Sequence, residues 1–99
     1  MTTLTPKDDQ LLWRTSVAMA VENSLRRMGK YEFKHILETL KTNYNVSLLD
    51  CYEQPAILKK VLEDTFGNAY RGIVNSIEEN LNGLALIDPV RDFLAVMKK

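Results

Sequence analysis

The sequence has very little of two residue types that carry much of metal and nucleophilic chemistry, with one cysteine, Cys51, and one histidine, His35. A single cysteine can form neither an intrachain disulfide nor a thiolate zinc site within one chain. Asp50 and Glu53 flank Cys51 and oppose its ionisation, so we expect a small, partly buried hydrophobic residue. His35 lies off the apolar stripe of its predicted helix and is expected to face solvent. We therefore predict no catalytic, metal-binding or cofactor-binding residues and no enzymatic activity.

An excess of charge and a long hydrophobic run are also missing. The sequence has 13 basic and 13 acidic side chains, which give a formal net charge of zero. Dedicated nucleic-acid binders usually carry a basic excess, and a balanced charge gives no attraction to anionic membranes. The longest apolar run, residues 17–21, is far shorter than the ~20 residues of a transmembrane helix. The N-terminal residues lack the basic and apolar segments of a signal peptide. We expect a cytoplasmic protein with no membrane partner.

What the sequence does contain is strong helical patterning. Its 99 residues are 45% apolar and 26% charged, which predicts one globular domain over residues 1–99. Apolar residues recur at helical spacing, and no segment alternates with a period of two over a useful length. Short strands over residues 46–49 or 84–87 are an alternative for those segments, but two such strands make no stable sheet. The sequence therefore predicts an all-α fold, a compact bundle of about five helices with short connections.

Proline, glycine and asparagine residues mark where the predicted helices begin and end. Thr5 is expected to cap the first helix, and Gly29 is expected to end it. Ser47 and Asp50 form a second capping arrangement, which predicts a short helical turn ending near Tyr52. The predicted helices cover residues 6–28, about 30–43, a third from Pro55 to the stop at Gly67, a fourth capped by Asn68 and terminated by Asn82-Gly83, and a last one that begins at Asp88-Pro89.

The first predicted helix has more apolar surface than a peripheral helix needs. Its apolar residues cover well over half of the circumference between Leu11 and Val21, whereas an ordinary surface helix has an apolar arc of roughly 100–140°. Either this helix is central and wrapped by the others, or part of its surface meets another chain, most simply a second copy across a two-fold axis. We favour the homodimer, since aromatic side chains and methionine are enriched at interfaces. The candidate self-association residues are Trp13, Val17, Met19 and Ala20.

Two features raise the question of nucleic-acid binding. A candidate basic patch, where the first two helices meet, consists of Arg26, Arg27, Lys30 and Lys34. Such groups are more often simply charges at helix ends. The tight corner between the third and fourth helices is also a feature of helix-turn-helix DNA readers. Arg71 and Asn75 could reach base edges there, but Glu78 and Glu79 would face phosphates unfavourably.

The order of features between Thr15 and Gly83 carries a family resemblance. The matching segments are Met28-Gly29 at the end of the long apolar helix, Asn45-Val46-Ser47, Gln54-Pro55, the stretch from Leu62 to Ala69 with its Phe66-Gly67-x-Ala69 corner, and then Ile73, Ile77 and Leu81. In this order they resemble the nitrosopumilus output domains, a family of small archaeal helical domains. The resemblance implies a helical module proposed to act downstream of sensory domains, with no established enzymatic activity and no catalytic residues to carry over. This chain departs from the sensor-fused arrangement, because it leaves no room for a sensor and adds a last helix after Asp88-Pro89.

Partner binding is the leading functional hypothesis from these features. We expect a non-enzymatic protein-interaction or signalling-output module that self-associates through its first helix and uses no cofactor. The alternative is a nucleic-acid-associated regulator that uses the basic patch. Binding to random duplex DNA that weakens steeply with salt would favour this alternative.

Overall fold

Five α-helices follow one another with short connections in the computed structural model, which describes the backbone of residues 6–99 and the side chains of residues 11–99. The helices are α1 (Pro6–Met28), α2 (Lys30–Thr39), α3 (Pro55–Phe66), α4 (Tyr70–Leu81) and α5 (Asp88–Lys98). No strand occurs within residues 6–99. The predicted all-α bundle of about five helices is therefore confirmed, and the short-strand alternative is wrong. The predicted cap at Thr5 lies outside the described residues.

Residues with a positive φ angle lie at the predicted helix ends. Gly29, with φ of 142°, is the single residue between α1 and α2. Gly67 follows α3 with φ of 55°, and Asn82 follows α4 with φ of 51°. Glycine adopts such angles without a Cβ penalty, and asparagine tolerates them better than most residues. Local backbone chemistry therefore sets where α1, α3 and α4 end.

The second helix departs from its predicted end. Its spacing predicted one helix to about Asn43, but the α-helix ends at Thr39 and residues 40–44 continue as one π-helical turn. The Asn45 N–H donates to the carbonyl oxygens of Leu40 and Lys41 at the end of that turn. Asn45 itself is left-handed, with φ of 55°, an angle that asparagine tolerates better than most residues. The helical rod thus extends one residue beyond Asn43, with its last turn wound more loosely than an α-helix.

The capping arrangement predicted at Ser47 and Asp50 is present. The Ser47 N–H donates to the Asp50 carboxylate over 3.0 Å, and the Ser47 hydroxyl donates to the same oxygen over 3.1 Å. The Asp50 N–H donates back to the Ser47 hydroxyl over 3.4 Å. These bonds favour the charged carboxylate, so they lower the pKa of Asp50, the amide bond contributing most. A short 3₁₀ turn over Asp50–Tyr52 follows, where a helical turn was predicted.

The core draws side chains from all five helices and places α1 against most of the other elements. α1 packs against α2, α4, α5 and the Asp50–Tyr52 turn, so its inner side is that of a central helix. The buried core residues outside α1 are Ile36, Leu40, Cys51, Leu58, Val61, Leu62, Tyr70, Ile73, Val74, Ile77, Leu81, Val90, Phe93, Leu94 and Met97. Most of them are the apolar positions that defined the helices in the sequence, so the helical period was the correct signal.

Polar contacts fix the helices relative to one another. The buried Tyr70 hydroxyl on α4 donates to the Met97 carbonyl oxygen on α5 over 2.6 Å. Lys98 and Glu78 connect the same two helices through an exposed ion pair of 2.6 Å. The Asn80 side-chain amide donates to the hydroxyl of Ser24 over 3.2 Å, which links α4 to α1. Side-chain hydrogen bonds therefore connect α4 to α1 and to α5.

No helix within the described residues combines the length and the apolar composition needed to cross a membrane.

Candidate interaction surface

The inner side of α1 contains two of the four residues predicted for self-association. Val17 and Ala20 are only 1% and 3% exposed, and they pack in the core together with Val21 and Leu25. Neither side chain can reach a second copy of the folded chain, so their assignment to a contact surface is wrong. The apolar residues of α1 cover a wider arc than one packing face needs. The spacing of these residues in the sequence did not show which part of the arc lies against the other helices.

The other two candidates lie nearer to solvent. Trp13 is partly buried and packs against the core, so part of its surface serves internal packing. Met19 leaves 59% of its surface exposed, and Leu11 and Leu12 are 59% and 50% exposed. Leu12 and Met19 lie two helical turns apart on nearly the same line of α1. We call Leu11, Leu12 and Met19 the outer strip of α1.

Leu11 and Leu12 lie in the less covered half of the described part of α1, and Met19 lies on the outer side of the other half. No residue between Leu11 and Ser16 is buried, whereas five residues between Val17 and Leu25 are buried. The structure thus gives a specific location for the apolar excess of this helix. Leu11 and Leu12 were part of the apolar excess in the sequence but not of the predicted contact set, because nothing in the pattern showed that this half is less covered.

An apolar groove adjoins the outer strip between α1 and the segment that includes α2 and the turn after it. Met19 forms part of its wall, opposite Leu37, Leu48 and Leu49. Leu37 and Leu49 are themselves exposed large hydrophobic residues. Exposed apolar area on this side therefore extends beyond α1 itself, which is the pattern expected of a contact surface and not of isolated surface leucines.

Three of the four basic-patch residues come together further along the same side of the molecule. Arg26, Lys30 and Lys34 line an open groove with Phe33 and Leu37, and we call these five residues the basic groove. The Arg26 guanidinium lies 5.3 Å from the centre of the Phe33 ring, in the position of a cation–π contact. Phe33 is partly buried and packs against the core, so its ring forms a fixed floor under the charges.

Arg27 is separated from this cluster. It lines a different groove, between α1 and the α3–α4 corner, with Asn68, Gly72 and Glu79 among its neighbours. Adjacent helical residues diverge by about 100°, so Arg26 and Arg27 project to different sides of α1. The predicted four-residue basic patch is therefore corrected to the three residues Arg26, Lys30 and Lys34.

The lone histidine and the lone cysteine, the residues best suited to catalysis or metal binding, differ in their exposure to solvent. His35 is exposed on α2, as predicted. Cys51 is 1% exposed, and burial together with the neighbouring Asp50 raises the pKa of its thiol to about 12. A thiol in that state has almost no nucleophilic thiolate at neutral pH. Among the described residues, no three His, Cys, Asp or Glu side chains converge as a metal-binding group would require.

The α3–α4 corner does not present the side chains that a DNA-reading helix would need. Tyr70, at the start of the candidate reading helix, is 6% exposed and is bonded to the Met97 carbonyl. Arg71 and Asn75 are exposed, but Glu78 on the same helix is paired with Lys98. The reading helix would therefore offer Arg71 and Asn75 to the bases, with no further cation from α4.

Comparison with models of known protein families, with curated proteins and with solved structures finds no match to this chain. The resemblance to the nitrosopumilus output domains accordingly stays a prediction.

Proposed function

We propose that this protein is a non-enzymatic protein-interaction module that self-associates through the outer strip of α1. The observation that carries the proposal is that Leu11, Leu12 and Met19 each keep half or more of their surface in solvent. Side chains of this size are more often covered, and clusters of exposed apolar residues usually mark interaction sites. The buried state of Cys51 and the exposed, isolated position of His35 support the non-enzymatic part.

The geometry of α1 suits a two-fold contact. In an isologous pair, residue i of one copy meets residue j of the other, and j meets i. If two α1 helices cross in antiparallel fashion, Leu12 of each copy can pack on Met19 of the other, with Thr15 between them. Thr15 is exposed and small enough to allow close approach of the two helices. The contact would cover the part of α1 that the other four helices leave open.

The expected association is weak. Covering the exposed half of one leucine or methionine contributes about 1 kcal/mol. Two copies of the strip supply about 6 kcal/mol from that source, against an association cost of at least ~4 kcal/mol. We therefore expect a dimer that forms at high protein concentration and dissociates on dilution.

The role as a signalling output is the finer part of the proposal, and only the resemblance to the nitrosopumilus output domains supports it. The nucleic-acid alternative has less support, because Arg27 lies apart from the other basic-patch residues and Tyr70 is buried. The formal net charge of zero adds no general attraction to phosphate.

Light scattering over a wide concentration range tests self-association. A net gain of about 2 kcal/mol corresponds to a dissociation constant of tens of millimolar, so the wild-type mass should begin to rise above the monomer value of 11.4 kDa at several millimolar protein. The double variant Leu12→Glu, Met19→Glu should remain monomeric, because it places two charges in each half of the contact. Both residues are exposed, so circular dichroism should show an unchanged helix content. Trp13 is left intact because it packs on the core.

Leu86→Glu is the matched control. Leu86 is a leucine with 79% of its surface exposed, and it lies in the 3₁₀ segment before α5, away from α1 in sequence. This variant should associate like the wild type. A wild-type protein that stays monomeric at several millimolar concentration, or a double variant that associates as the wild type does, would refute the proposal.

A further inference from the structure

The basic groove combines an apolar floor with a charged rim. Phe33 is partly buried, and Leu37 is 36% exposed, so together they form a shallow apolar surface. Arg26 of α1 and Lys30 and Lys34 of α2 line the groove around this surface. A site of this composition can bind an apolar side chain and anionic groups at the same time.

The charges of the rim are largely uncompensated by the side chains of residues 11–99. Among residues 11–99, the only ion pair of the three basic residues is that between Arg26 and Glu22, with 3.7 Å between the charged atoms. Lys30 and Lys34 form no ion pair within 4.0 Å there. The groove therefore presents a local positive field although the whole chain is neutral.

We infer that the basic groove docks an acidic amphipathic helix of a partner protein. An apolar side chain of that helix would lie over Phe33 and Leu37, and its carboxylates would lie beside Arg26, Lys30 and Lys34. This inference rests on the proposed function, because it gives the chemistry of one partner of an interaction module. Charge complementarity selects an acidic segment, and the apolar floor requires one that carries hydrophobic residues on one face.

Two other anionic partners fit the groove less well. A nucleic acid gains most of its affinity from many phosphate contacts, whereas this groove offers three cations and a floor that phosphates cannot use. A membrane surface requires apolar side chains that protrude into the headgroup region. Phe33 instead lies partly buried beneath the Arg26 guanidinium.

The test uses two synthetic helical peptides with the same leucine face, one with glutamates and one with lysines at the remaining positions. Titration of each into the full chain is followed by backbone amide chemical shifts. The glutamate peptide should bind and shift the amide signals of Phe33 and Leu37. The lysine peptide should bind at least about tenfold more weakly, since each exposed charge pair contributes only modestly and three pairs change sign.

Charge reversal makes the test independent of folding. The variant Lys30→Glu, Lys34→Glu should lose preference for the glutamate peptide and gain preference for the lysine peptide, which a misfolded chain would not do. The matched control is Lys59→Glu, Lys60→Glu on α3, which changes the same total charge and should keep the wild-type preference. Equal binding of both peptides, or a preference that Lys30→Glu, Lys34→Glu leaves unchanged, would overturn the inference.

Two further experiments are needed. One compares the acidic peptide with DNA and anionic lipid as partners, and the other distinguishes the docking site from the α1 contact. Random duplex DNA or phosphatidylserine vesicles that bind more tightly than the glutamate peptide, and lose binding in the Lys30→Glu, Lys34→Glu variant, would also overturn it. The variant Leu12→Glu, Met19→Glu should bind the glutamate peptide normally, and the charge-reversed groove variant should self-associate normally in light scattering. Failure of the docking site and failure of the α1 contact would thus appear in different variants and different measurements.

Discussion

Removing one oxygen atom from Tyr70 should weaken the connection between α4 and α5 measurably. The Tyr70 hydroxyl donates to the Met97 carbonyl oxygen over 2.6 Å, and the ring is 6% exposed. α5 ends at Lys98, so this carbonyl belongs to the last turn, where the helix itself supplies no donor. Tyr70→Phe keeps the ring in the core but leaves the carbonyl without a partner. A buried acceptor left unsatisfied costs about 1–2 kcal/mol of unfolding free energy.

Urea denaturation and thermal melting measure this change. For a domain of this size, a loss of that magnitude lowers the melting temperature by roughly 5–10 °C. Tyr31→Phe is the matched control, because Tyr31 is 85% exposed and its hydroxyl can remain bonded to water. The variant at Tyr31 should unfold within a few tenths of a kcal/mol of the wild type. The reasoning fails if Tyr70→Phe is no less stable than Tyr31→Phe.

Two further predictions concern a backbone angle and a buried thiol. Gly29→Ala should destabilise the fold by about 1–3 kcal/mol in chemical denaturation, because φ of 142° is unfavourable for a residue with a Cβ. Gly72→Ala, inside α4 with open space around its Cα, should instead stabilise the fold by about 0.5–1 kcal/mol. Equal effects of the two substitutions would contradict backbone strain at position 29. Burial raises the pKa of Cys51 from 9.0 to about 12, so the unfolded chain loses this proton at lower pH than the native one, and the free energy of unfolding should fall as the pH rises from 9 toward 12. Cys51→Ala should reduce that fall, of which burial of Tyr70 supplies another part. The native thiol should react slowly with Ellman's reagent at neutral pH, and fast reaction would contradict its burial.

Helix ends were predictable because their causes are local. Gly29, Gly67 and Asn82 adopt angles that their own side chains permit, and Pro55 begins α3 as its ring geometry favours. The π-helical turn over residues 40–44 was not predictable. Its hydrogen bonds span five residues where those of an α-helix span four, and one such turn leaves no visible change in the spacing of apolar residues.

The candidate site was only partly predictable because it depends on tertiary packing. Val17 and Met19 are both apolar residues on α1, yet Val17 is 1% exposed and Met19 is 59% exposed. The elements that pack against α1 decide between them, and the sequence period of α1 carries no information about where those elements lie. Arg26 and Arg27 differ for the same reason, since one lies over Phe33 and the other lies toward the α3–α4 corner.

The single-residue junction at Gly29 has a consequence for molecular recognition. α1 and α2 are joined by this one residue and also pack against each other. The guanidinium of Arg26 and the ammonium groups of Lys30 and Lys34 are therefore carried on two helices whose relative direction has little freedom. A surface held in this way is preorganised, so a ligand that fits it loses less affinity to the ordering of flexible segments. Inserting residues at the junction would leave every charge present and should still weaken the proposed binding of an acidic helix, because the two helices would lose conformational entropy on being aligned.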